Sequence, residues 1–213
     1  MNIPQLTLFH NPQSRSAGVR ILLEELNLPA TFTLIDFKAP EKNPALLAVN
    51  PLGKVPTLIA DGVVVTEQAA IYQFLAELKP EAGLSPAVGD ALRGPYLRAL
   101  TFYGSSFEPA MIDKALKRDA GQRGLSPYGD QAAVEQWVRS QLSVGPWFLG
   151  ERYTAADCLW GTALGWMTRF GLLEATPEIT AYLERFAARP AVQRARALDQ
   201  ALLAGQHNVP DKR

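Results

Sequence analysis

Residues 50–68 hold the most specific chemistry of the chain. Residues 50–58 read NPLGKVPTL, Asp61-Gly62 follows, and Thr66-Glu67-Gln68 comes next. Proline cannot donate to a sheet ladder, so Pro56 suits the mouth of a strand over residues 55–59. A rigid proline at such a junction is a candidate for a cis Val55-Pro56 bond. That arrangement leaves the Val55 N–H and C=O free to pair with an extended peptide, as in strand addition. Thr66 is placed to cap a helix whose first N–H groups can hold a carboxylate. Together these features describe a site for a small, acidic peptide.

The elements that must position this site follow from periodicity. Leu6–His10 reads as a strand. Val19, Leu22, Leu23 and Leu26 recur at i, i+3, i+4 and i+7, which predicts an amphipathic helix over residues 16–27. Leu28-Pro29 ends it. Residues 31–36 (TFTLID) are β-rich, residues 38–43 form a charged loop, and Pro44–Val49 suits a short helix. Asp61-Gly62 joins residues 55–59 to Val63–Val65 as a type I′ hairpin, which needs positive φ at both turn positions. Ile71, Phe74, Leu75 and Leu78 mark a further helix, ended before Pro80. The order is βαβ followed by ββα, a thioredoxin-like arrangement. Residues 80–89 (PEAGLSPAVG) read as a linker, and beyond them strand signals vanish. Strands and helices followed by helices alone predict an α/β domain over residues 1–80, a linker over 81–90 and an all-α domain over 91–213. Helices are expected over residues 92–117 (apart from Pro95 and Pro109), 130–142, 154–170 and within 177–203.

Composition narrows the function classes. Lys+Arg and Asp+Glu both total 21, so no charge excess points to nucleic acid or an anionic membrane. No run approaches the about 18 apolar residues of a membrane span. The start, MNIPQLTLFHNP, lacks a signal-peptide pattern. Cys158 is the single cysteine, so the chain has no intrachain disulfide and no CxxC pattern. His10 and His207 are isolated and do not suggest a metal site. A soluble cytoplasmic protein is expected.

The ordered set NPLGKVPTL, Asp61-Gly62 and Glu67-Gln68 resembles the "NPxGxVPxL … DG … ES" pattern of the glutathione transferase family, with Gln68 in place of the serine. Residues 148–157, FLGERYTAAD, are similar to the same family's "FLxGxxxTxAD". The resemblance spans nearly the whole chain. It implies glutathione as co-substrate, a homodimer in which the glutathione domain of one subunit packs on the helical domain of the other, and attack by the glutathione thiolate on a small hydrophobic electrophile.

Members of the family activate the thiol with a tyrosine, serine or cysteine. The first tyrosine is Tyr72, inside a predicted helix, and Cys158 lies in the helical half, which leaves the hydroxyls of NPQSRS. Ser14 lies just ahead of the first helix and resembles the serine-type position; Ser16 suits the N-cap. Arg15 could stabilise a thiolate by charge or be a solvated surface residue. Asn11 could donate to sulfur, although an Asx-turn before Pro12 is the commoner use. The resemblance implies that Glu67 receives the γ-glutamyl ammonium, that Gln68 donates to its carboxylate, that Val55 and Pro56 face the peptide, and that Lys42 or Lys54 meets the glycyl carboxylate.

Thr154 to Asp157 forms a cap–x–x–acid box that starts a helix, with Cys158 a small buried hydrophobe beside it. Tyr103, Phe107 and Met111 share one helical face, and Trp166 and Phe170 another. Each set suits an apolar electrophile pocket or ordinary core. Two alternatives accompany the transferase reading. One is a non-catalytic binding or scaffold protein on this fold. The other is a glutathione-dependent isomerase, which would be expected to carry Ser-Ser-Cys where this chain has Gln13-Ser14-Arg15.

Overall fold

A computed structural model describes residues 3–39 and 43–207. Among these residues four strands form one sheet in the order β2-β1-β3-β4. Strand β1 (Leu6–His10) pairs parallel with β2 (Thr31–Leu34) and antiparallel with β3 (Thr57–Ala60), which pairs antiparallel with β4 (Val63–Val65). Helices α1 (Ser16–Leu26), α2 (Pro44–Val49) and α3 (Gln68–Leu78) complete this α/β half. The predicted stripe of α1 is the buried one: Val19, Leu22, Leu23 and Leu26 are each at most 3% exposed. Asn27 ends the helix in the left-handed region at φ 50°, ahead of Leu28-Pro29. The hairpin turn has φ 47° at Asp61 and 83° at Gly62, as a type I′ turn requires.

Among the remaining described residues the regular elements are helices: α4 (Arg93–Phe102), α5 (Glu108–Leu116), α6 (Gln131–Leu142), α7 (Ala155–Arg169), α8 (Pro177–Ala187) and α9 (Pro190–His207). A π-helical turn at Tyr103–Phe107 joins α4 to α5 without a break. Pro109, which has no N–H to give, falls just after it, so the wider turn absorbs the missing donor. Pro95 sits in the first turn of α4, where no such donor is needed. The segment between α3 and α4 is docked. Leu84 is buried, its carbonyl accepts from Ala155 N at 2.9 Å, and Arg152 reaches Asp90 at 2.6 Å.

The two halves meet through α1, which packs on α3, α7 and α9. At Gly18 a β-carbon would run into the Tyr72 hydroxyl of α3 and crowd Thr162 and the Cys158 carbonyl of α7. Tyr72 is fully buried, and burial holds its phenol well above the ordinary range. In the helical half, Asp157 closes the expected capping box. It accepts from Thr154 N and Phe148 N, both at 2.8 Å, and from the Tyr182 hydroxyl at 3.1 Å. Burial pushes its carboxyl up to about 6, against the pull of those donors. Cys158 is fully buried, and burial raises its thiol.

Three local expectations are corrected. Strand β3 starts at Thr57, so Val55 and Pro56 lie ahead of the ladder and not in it. Thr66 does not cap α3; Glu67 occupies the cap position at φ 66°, with no side-chain cap bond. Ser16 is the first residue of α1 and not its N-cap, because its hydroxyl turns back toward β1.

Candidate active site

The loop from the end of β1 to α1 is built around Asn11. Its Oδ1 accepts from Gln13 N at 2.8 Å, the expected Asx-turn, and its Nδ2 donates to Ile35 O at 2.7 Å. That amide is therefore committed to holding the loop on the end of β2. Ser14 then turns the chain into α1. Its N–H donates to Asn11 O at 3.0 Å, and its hydroxyl lies 2.8 Å from both Asn11 O and Ser16 Oγ. Ser16 N donates to Ser14 Oγ at 3.2 Å. The Arg15 backbone N–H has no acceptor among the described residues.

Ser14 lines a cavity of about 460 Å³ with Arg15, Lys54, Val55 and Trp166. The Val55-Pro56 bond is cis, and neither the N–H nor the C=O of Val55 is paired among the described residues. Lys54 is exposed at the rim, while its carbonyl accepts from Thr57 Oγ1 at 2.8 Å. Lys42 lies outside the described residues. A narrow recess adjoins the cavity through Arg15 and Trp166, and Gln68, Tyr103 and Glu108 also line it. At the head of α3 the N–H groups of residues 68–70 have no protein acceptor among the described residues. Beside them the Glu67 side chain is exposed and unpartnered, so an ammonium and a carboxylate of one ligand could be held side by side.

Arg15 is not a free cation. It is ion-paired with Glu108, whose Oε1 also accepts from the Tyr103 hydroxyl at 2.8 Å. Burial pulls the guanidinium down, but Glu108 and Tyr103 outweigh it and hold it above its ordinary value. Burial, reinforced by Glu108, raises the Tyr103 phenol well above 10.0. Of the aromatic candidates, Tyr103 and Trp166 reach the recess. Phe107 and Met111 are fully buried core, with Phe107 4.9 Å from the Trp160 ring. Phe170 stands mostly exposed, edge-on to Trp166.

Sequence reasoning missed His10, Glu108 and Asp199. In the sequence His10 reads as isolated. In the fold it is fully buried, with Nδ1 2.8 Å from Ser16 Oγ and Nε2 2.9 Å from Asp199 Oδ1. A histidine ending the apolar strand Leu6–His10, directly ahead of the polar loop NPQSRS, was the available signal; nothing local pointed to residues 108 or 199.

Residues 4–77 match the model of the glutathione S-transferase N-terminal domain, and residues 132–190 that of its C-terminal domain. The glutathione S-transferase GstA of Escherichia coli O157:H7 is 30% identical over 193 residues, covering 88% of this chain and 96% of that protein. A glutathione transferase structure from Methylococcus capsulatus superposes with a TM-score of 0.78 at 32% identity, over 92% of this chain and 99% of that one. A sphingomonad glutathione S-transferase complexed with glutathione gives 0.76 at 28% identity, over 91% and 98%. The chain belongs to the glutathione transferase family: a thioredoxin-like α/β domain followed by a helical domain. No helix among the described residues is long and apolar enough to cross a membrane.

Proposed function

We propose that this chain is a serine-type glutathione transferase. Residues 1–80 bind the tripeptide, residues 81–90 connect, and residues 91–213 shape the electrophile pocket. One observation carries the reading: Ser14 and the unpaired backbone of Val55 line the same cavity, at the head of α1. An extended peptide pairing with Val55 would lay its backbone along the mouth of β3, beside Pro56. Its γ-glutamyl end would meet Glu67 and the α3 N-terminus with Gln68, and its glycyl carboxylate Lys54 or Lys42. Its sulfur would then face Ser14. The Ser14 hydroxyl and the unpaired Arg15 N–H donate to the thiolate, and the positive end of α1 favours the anion. The thiolate adds to, or displaces a leaving group from, a hydrophobic electrophile held against Trp166, Leu159, Ala163 and Met167. The protein works in the cytoplasm, with glutathione as co-substrate and no metal.

Isothermal titration with glutathione tests this reading. Binding at millimolar ligand or tighter is expected, and Glu67→Ala should weaken it roughly tenfold by leaving the ligand ammonium unpaired. Absence of binding to the native protein would overturn the reading. The chain also assembles as a two-fold homodimer, the glutathione domain of one copy packing on the helical domain of the other. Light scattering should give twice the mass of one chain at micromolar concentration; the single-chain mass would exclude it.

A further inference from the structure

The cleft is wired to the far end of the chain. Asp199 on α9, 8% exposed, accepts from His10 Nε2 at 2.9 Å and from Arg20 Nη1 at 2.7 Å. His10 Nδ1 meets Ser16 Oγ at 2.8 Å, and Ser16 Oγ meets Ser14 Oγ at 2.8 Å. His10, Ser16 and Ser14 are all buried. Asn11 N donates to Ser16 Oγ at 3.0 Å, which fixes that hydroxyl from a second side. The guanidinium of Arg20 stacks 4.5 Å from the Phe32 ring, and the His10 ring meets Phe32 edge-on at 5.5 Å. The histidine can therefore neither rotate nor leave its partners.

Donor and acceptor accounting gives this chain a direction. A carboxylate only accepts, so the His10 proton sits on Nε2. In the tautomer with the proton on Nε2, Nδ1 is an acceptor, and the Ser16 hydroxyl donates to it at 2.8 Å in preference to Asn11 O at 3.2 Å. With that proton committed, Ser16 Oγ can only accept, from Asn11 N and from Ser14. Ser14 Oγ receives no hydroxyl proton, and its own O–H is the one mobile donor of the set, shared between Asn11 O and Ser16 Oγ. A sulfur entering the cleft needs that donor.

We infer that His10 and Asp199 are positioning residues for Ser14. They lock the Ser16 hydroxyl as an acceptor and hold the Ser14 hydroxyl where it donates to the glutathione thiolate. No proton passes along the chain; each group keeps its own. The inference rests on the serine-type reading above.

The test compares Asp199→Asn, His10→Phe and Ser14→Ala, singly and combined. Each is assayed for turnover with an activated aryl chloride and for the ultraviolet titration of bound glutathione. Asparagine keeps Oδ1, which both Nε2 and Arg20 Nη1 contact, but loses the charge that fixes the ring proton on Nε2, so the hold on the Ser16 hydroxyl is loosened. Asp199→Asn and His10→Phe should each raise the bound-thiol pKa and lower turnover roughly three- to tenfold, with KM for glutathione changed less than about twofold. In the Ser14→Ala background the same changes should alter turnover by less than about twofold, because the group they position is gone. Losses that persist undiminished in that background would make His10 and Asp199 structural pins only and overturn the inference. Unchanged titration in both single variants, with Ser14→Ala still shifting it, would overturn the inference but leave the serine reading intact. Unchanged titration in Ser14→Ala itself would overturn both. If His10→Phe does not fold, the isosteric Asp199→Asn decides alone.

Discussion

Replacing Ser14 by alanine should raise the pKa of enzyme-bound glutathione by about one to two units. That is the equivalent of one charge-assisted hydrogen bond of about 1.5–3 kcal/mol. Turnover near neutral pH should fall roughly tenfold or more, while glutathione affinity changes less, because the contacts at Val55, Glu67 and Gln68 remain. The fold should tolerate the change. Alanine keeps the backbone bonds of Ser14 N to Asn11 O and Ala17 N to Ser14 O, and among the described residues the one backbone N–H that loses a bond is Ser16 N, 3.2 Å from Ser14 Oγ. Ultraviolet titration of the bound thiol reads the effect directly. An unshifted titration would hand thiol activation to the Arg15 N–H and the head of α1, or make the chain a binder that does not catalyse.

The largest stability loss is expected at Asp157. Its carboxylate collects the N–H groups of Phe148 and Thr154 and the hydroxyls of Thr154 and Tyr182 in a fully buried space. Asp157→Ala removes every one of those acceptors and leaves the donors without water. Each orphaned buried donor costs about 1–3 kcal/mol, so a total of about 3–5 kcal/mol is expected after relaxation. The urea midpoint should drop with an unchanged slope. A loss below about 1 kcal/mol would mean that solvent reaches the donors and that the box does not organise the start of α7.

Local signals in the chain were reliable where geometry is decided within a few residues. The α1 stripe, the Asp61-Gly62 turn and the Thr154–Asp157 box each depend on neighbours in sequence, and each stands where periodicity and turn chemistry put it. The failures share a different cause. Ser16 has the chemistry of an N-cap, but a buried imidazole six residues earlier competes for its hydroxyl and wins. Thr66 was one residue early because Glu67 adopts a positive φ, which composition does not announce. Arg15 could be read as a thiolate partner or a surface residue; its real partner is Glu108, on a helix that folds over from the other half. Phe107 and Met111 share a helical face with Tyr103, but the π-helical turn changes the phase between them, so the tyrosine alone reaches the recess. The cleft as a place was legible from Val55-Pro56 and Glu67-Gln68. The network that orders it was not, since its members lie 189 residues apart.

The contact between α9 and β1 also sets an order on the ribosome. Residues 10 and 20 leave the exit tunnel early, at synthesis rates of about 5–20 residues per second. Their carboxylate follows only after most of the chain has been made. Until then the nascent α/β half carries an imidazole and a guanidinium without the carboxylate that accepts from both, and the face of α1 that α7 and α9 will cover is bare. The first half of this protein cannot reach its finished state ahead of the second. Emergence of residue 199 supplies the partner that His10 and Arg20 share.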